Sequence, residues 1–158
     1  MLKLQREHYE QIVAHGLEGK PLEICGLLVG TQDGDETRVL EVHRTDSEDK
    51  SELTYTVNPL QQLKIERDAI KRGLQVVGIY HTHPATVPYP SVTDVSRAHW
   101  GDTDDLLFPG YSYLIVSLRD PENPEPRSFK IEGRRIPEDV REETVSLENG
   151  TATVTQSS

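Results

Sequence analysis

His81-Thr82-His83-Pro84 is followed by Ser91, with seven residues between His83 and Ser91, and then by Asp94, with two more between. Two histidines at i and i+2 on a strand point to the same face. That suits two imidazoles converging on one metal ion at about 2.0–2.1 Å. The plainer reading is a pair of polar residues at a strand end. Ser91-Val92-Thr93-Asp94 has the spacing of a capping box, with Ser91 as N-cap and Asp94 reaching back. Capping and ligation are compatible, because an Asp in the first helical turn is fixed in direction. The combined pattern arises by chance in about one such chain in a thousand. Two His and one Asp leave a fourth tetrahedral position for water, which is the signature of a catalytic zinc site.

Hydrolysis at a metal-activated water needs a base. Spacing alone does not choose among the 16 glutamates. Context favours Glu23, which begins an apolar strand where an unpaired carboxylate is costly without a task. The alternative is an exposed strand start. Cys25, two residues on, would share that strand face. A thiolate nucleophile there needs a neighbouring His or a helix N-terminus, and the better reading is a small buried apolar residue.

The elements that must position these residues follow from periodicity. Residues 5–18 predict a helix, with Tyr9, Ile12, Val13 and Leu17 on one stripe. Residues 23–30 and 37–44 read as strands joined by the Asp33-Gly34 turn. Residues 45–52 form a polar loop and 54–57 a short strand. Asn58 caps a helix from Pro59 to about Arg72, with Leu60, Leu63 and Ile70 on one face, and Gly73 ends it. Residues 74–83 are the strand that delivers both histidines. A helix over 92–99 carries Asp94, and a loop over 100–110 follows. Strands follow at 111–118 and 127–132, with room for one more over 140–147. This order implies an α/β (α+β) fold with a mixed central β-sheet flanked by helices.

Glu23, His81-Thr82-His83, Ser91 and Asp94 together resemble the motif of the JAMM metalloprotease family, the catalytic type of the MPN domain. Pro21 to Gly30, Gly73 to Pro84 and Tyr113 to Leu118 resemble that family's strands, and the resemblance covers roughly residues 1–133. It implies the MPN-domain, cytidine-deaminase-like architecture. It also implies one Zn²⁺ per chain held by His81, His83 and Asp94, with Glu23 as general base and Ser91 as donor to the oxyanion. Thr82 would pack or hydrogen-bond into the fold. The compact prokaryotic branch, which it resembles most, implies a ubiquitin-like or sulfur-carrier protein as substrate and peptide or isopeptide hydrolysis as the reaction. The alternative is a non-catalytic MPN scaffold that retains a metal site.

Composition narrows the field further. At 158 residues one domain is the prior, divided here into a catalytic domain over 1–133, an extension over 134–148 and a disordered tail over 149–158. The single cysteine excludes disulfides and any zinc site built on paired cysteines, the zinc deaminases included. A net charge of −10 disfavours nucleic acid as a partner. Residues 33–52 hold eight acidic and three basic side chains, so half of that charge sits in this one stretch. No apolar run suits a membrane span, and Met1 to Glu7 lacks the apolar core of a secretory signal, so the expected location is cytoplasmic. His99, five residues beyond Asp94, reads as a surface residue. Segment 95–110, with Trp100 and Phe108, reads either as a wall of the active cleft or as a solvated loop. The oligomeric state stays open.

Overall fold

A computed structural model describes residues 1–149. The elements run β1 (Leu2–Gln5), α1 (Arg6–Gly19), β2 (Cys25–Asp33), β3 (Glu36–Thr45), α2 (Pro59–Lys71), β4 (Gln75–His83), α3 (Val92–Arg97), β5 (Ser112–Ser117), β6 (Glu125–Ile131), β7 (Val140–Glu143) and β8 (Val145–Glu148). They form one mixed sheet in the order β7-β6-β5-β4-β2-β3-β1-β8. β4 and β5 run parallel, as do β1 and β3 and also β1 and β8, while the other pairs are antiparallel. The outermost strands, β7 and β8, are separated in sequence by Thr144 alone. One residue cannot cross an open eight-stranded sheet, so the sheet curls until its two edges meet, nearly as a barrel. The Leu2 amide of β1 donates to the carbonyl of that linking Thr144 at 2.8 Å, next to the β1–β8 pairing.

Each face of the sheet has its own core. On one face α1 lays Ile12 against Leu28, Val77, Tyr80, Leu114 and Leu118. Gly16 makes the approach possible: a Cβ there would lie 2.6 Å from Leu118 and 2.7 Å from Thr82. On the other face Ala69 of α2 and Val95 of α3 pack against Leu27, Ile79, Tyr113 and Ile131. Period-2 alternation along β4 therefore turns Tyr80 and Thr82 towards α1 and turns Ile79, His81 and His83 towards α3.

Several sequence expectations change. β1 is an additional strand, too short for periodicity to register. Segment 54–57 is not a strand; its sheet-like contact is a single bridge between Ser47 and Val57. The apolar face expected of α2 looks outward, with Leu60, Leu63 and Ile70 exposed. Ile65 and Ala69 face the sheet instead, because the opposite stripe of the helix meets β4. The single strand expected over 140–147 is two strands on opposite edges. Leu17 is exposed, and so is Trp100, which therefore anchors nothing. β6 includes Pro126, tolerated because β7 pairs only from Ser128 onward and leaves that position without a second neighbour. The tail expected over 149–158 lies, from 150 onward, outside the described residues.

Candidate metal centre

β4 ends on the two histidines, and its alternation brings their imidazoles to one side. Nε2 of His81 lies 3.2 Å from Nε2 of His83, and Asp94 Oδ2 lies 3.2 Å from the first and 3.3 Å from the second. Asp94 is delivered by the N-terminus of α3. There the Ser91 hydroxyl accepts from the Asp94 amide at 3.0 Å, and Asp94 Oδ2 accepts from the Ser91 amide at 2.9 Å. The capping box is present, and it places the same carboxylate oxygen that faces both histidines.

Glu23 completes the group. Ligand atoms of Glu23, His81, His83 and Asp94 all lie within 4.8 Å of one another, and all four residues are buried. Glu23 lies two residues ahead of β2 rather than on it, tied through its amide to the Ser51 carbonyl at 2.8 Å. It is not an exposed strand start, being only 5% accessible. Its Oε1 is buried without a partner among the described residues. Burial first, then the nearby Asp94 charge, pushes its pKa up to about 8. Burial opposes ionisation of Asp94 as well, but His81, His83 and the Ser91 amide outweigh it and hold that carboxyl far below its ordinary range.

This donor set fits a tetrahedral dication. Ligands at about 2.0–2.1 Å from zinc stand roughly 3.3–3.4 Å apart. The three edges here, 3.2 to 3.3 Å, match that spacing. Two imidazole nitrogens and a carboxylate oxygen at this separation hold more lone pairs than protons, and a cation between them resolves the excess. His83 is already oriented for it: its Nδ1 donates to the Val87 carbonyl at 2.8 Å, which leaves Nε2 as the lone-pair atom.

A cleft of about 730 Å³ opens onto the group, lined by Glu23, His83 and Ser91 together with Leu53, Thr54 and Pro84. The Ser91 hydroxyl proton has no acceptor among the described residues, so it is free to donate into this cleft. Thr82, on the opposite face, accepts from the Ile24 amide at 3.2 Å, as expected of a residue turned into the fold.

Other candidates fall elsewhere. Cys25 is buried beside Thr45, and burial pushes its thiol up to about 11, which removes it as a nucleophile. His99 is buried rather than on the surface, with Nδ1 donating to the Val95 carbonyl at 2.8 Å. Residues of segment 95–110, Phe108 among them, line a second cavity of about 510 Å³ rather than the cleft at the histidines. One neighbour escaped the sequence reading. Tyr55 stacks on His81 with ring centroids 4.2 Å apart and planes at 25°. Its β-branched neighbours made it look like a strand residue, and no local signal ties it to a site 26 positions away.

A mixed, nearly closed sheet that carries this His-His-Asp-Glu group on one face defines the class. A family model described as prokaryotic homologs of the JAB domain matches residues 5–132, and the chain belongs to that family. Among curated relatives, a protein named desampylase from Haloferax volcanii is 34% identical over 121 residues, covering 73% of this chain and 80% of that one. A protein named CysO-cysteine peptidase from Mycobacterium tuberculosis is 34% identical over 131 residues, covering 83% of each chain. The solution structure of a protein from Desulfitobacterium hafniense superposes with a TM-score of 0.80 at 34% identity, over 94% of this chain and 93% of that one. Among the described residues no helix is long and apolar enough to cross a membrane.

Proposed function

We propose that this chain is a zinc-dependent metallopeptidase or isopeptidase that hydrolyses a peptide or isopeptide bond at the C-terminus of a ubiquitin-like or sulfur-carrier protein. The observation that carries this reading is the triangle of His81, His83 and Asp94 ligand atoms with the unpartnered Glu23 carboxylate beside it, at the wall of an open cleft. The names of the relatives, desampylase and CysO-cysteine peptidase, support the same substrate class.

In this proposal His81, His83 and Asp94 hold one Zn²⁺ per chain. Bound there, zinc supplies Lewis acidity towards the scissile carbonyl and a competent nucleophile at neutral pH. Glu23 takes a proton from the attacking water and delivers it to the leaving amine. Its burial suits it to both halves of that task, because a carboxyl pushed towards neutrality is a stronger base than an exposed one. Ser91 donates to the oxyanion of the tetrahedral intermediate, a contribution on the order of 3 kcal/mol. The enzyme is cytoplasmic, residues 1–133 carry every catalytic and metal-binding side chain, and 134–148 form an extension whose two strands complete the sheet.

Incubation of the zinc-loaded protein with ubiquitin-like proteins extended at the C-terminus, followed by intact-mass analysis, tests this reading. Loss of the extension at the native C-terminus supports it. A zinc-loaded protein that leaves every extended substrate intact would point to a non-catalytic scaffold with a metal site.

A further inference from the structure

The two histidines of the centre are held in different ways. His83 is fixed by a hydrogen bond from Nδ1 to the Val87 carbonyl at 2.8 Å. His81 has no such bond among the described residues: its Nδ1 is buried and finds no partner in them. A metal-bound imidazole ordinarily donates its second nitrogen to a carboxylate, carbonyl or water, and that contact sets the ring's direction. The His81 ring instead lies between two rings: Tyr55 stacks on it at 4.2 Å and 25°, and His83 meets it edge-on at 5.0 Å.

Tyr55 stands on a segment without ladder support. Backbone bonds hold it at two places, the Ser47–Val57 bridge and the Ser51 carbonyl that accepts from the Glu23 amide at 2.8 Å; side chains hold the rest of residues 49–57. Arg97 dominates: its Nη1 pairs with the Asp49 carboxylate and donates to the Tyr55 carbonyl at 3.1 Å and to the Thr56 hydroxyl at 3.0 Å. The Ser47 hydroxyl accepts from the Thr56 amide at 3.2 Å. Arg97 lies three residues beyond Asp94 on α3. One helix therefore presents a ligand to the centre with one side chain and fastens the cover over another ligand with the next.

We infer that Tyr55 is the positioning residue of His81: its ring, carried on a backbone that Arg97 clamps, does through stacking what the Val87 carbonyl does for His83 through a hydrogen bond. The inference rests on the metal assignment proposed above. It asks nothing of the catalytic step.

The test compares zinc release into a chelator, and the visible spectrum of the Co²⁺-substituted protein, for wild type, Tyr55→Phe, Tyr55→Leu and Arg97→Gln. Tyr55→Leu should release zinc at least about tenfold faster and shift the cobalt spectrum, an effect of the size seen when outer-shell partners are removed. Tyr55→Phe keeps the ring and should match wild type in both readouts. Arg97→Gln, changed at a half-exposed side chain, should speed release in the same direction and serves as the second arm if Tyr55→Leu does not fold. Wild-type release and spectrum in Tyr55→Leu and Arg97→Gln would overturn the inference. Release from Tyr55→Phe as fast as from Tyr55→Leu would overturn it too, by assigning the effect to the hydroxyl. A protein that holds zinc but cleaves nothing fails the proposed activity and leaves this test intact. A protein that holds no zinc fails the metal assignment and this inference with it.

Discussion

The Ser91 hydroxyl accepts the Asp94 amide at 3.0 Å while Asp94 Oδ2 accepts the Ser91 amide at 2.9 Å, and that same oxygen faces both histidines. A helix cap thus aims the oxygen proposed to bind the metal. Ser91→Ala removes the cap and, on the proposed mechanism, the oxyanion donor as well. The cap alone costs about 1 kcal/mol of stability. The lost donor lowers kcat roughly 10²–10³-fold. Thermal melts and turnover of a protein substrate separate the two effects. A variant that melts lower yet keeps wild-type kcat would leave Ser91 a structural role only.

The seam between β7 and β8 leads to a second prediction. β7 pairs with β6, and β8 pairs with β1. Val145 and Leu147 also pack against the core on the α1 side. Removing residues beyond 133 would bare two strand edges at once, and bare edges recruit other chains. The truncated protein is expected to aggregate on a sizing column and to lose its sharp melting transition. A monomer with an unchanged melt would show 1–133 to be self-sufficient.

His15 makes the fold's stability depend on pH on the acid side. Burial, then the Arg44 charge, lowers its pKa from 6.5 to about 4. The Tyr80 hydroxyl, 2.7 Å from Nδ1, donates to the neutral ring. In the unfolded chain this histidine takes its proton near pH 6.5; in the fold it does so only near pH 4. The unfolded state therefore binds more protons in that window, and stability falls as the pH drops through it. Urea unfolding of wild type and His15→Gln across the window should show a shallower pH slope for the variant. Equal slopes would remove His15 as the cause.

What the sequence revealed and concealed follows from the range of the interactions. His81, His83, Ser91 and Asp94 were legible because their geometry is local: strand parity sets the two histidines and one helical turn sets Ser91 and Asp94. Glu23 was legible only through context and the family resemblance, since nothing near it in sequence says that Ser51 and the end of β4 will enclose it. Tyr55 and Arg97 were not legible as a pair, because their meeting depends on a long-range salt bridge to Asp49. The α2 face was misread because Leu60, Leu63 and Ile70 keep helical spacing yet lie on the exposed side, while the smaller Ala69 takes the buried side. The sheet closure depends on Thr144 joining strands on opposite edges, which no period in the sequence encodes.

The central claim is that Glu23 acts on the proton while His81, His83 and Asp94 hold the metal. Glu23→Gln separates the two jobs with one atom changed. Zinc content and hydrolysis of a ubiquitin-like substrate, measured on the same preparation, test it most directly. The account predicts one zinc per chain, as in wild type, with turnover reduced by about 10²–10⁴-fold or more. A Glu23→Gln protein that keeps its zinc and cleaves at the wild-type rate would contradict it.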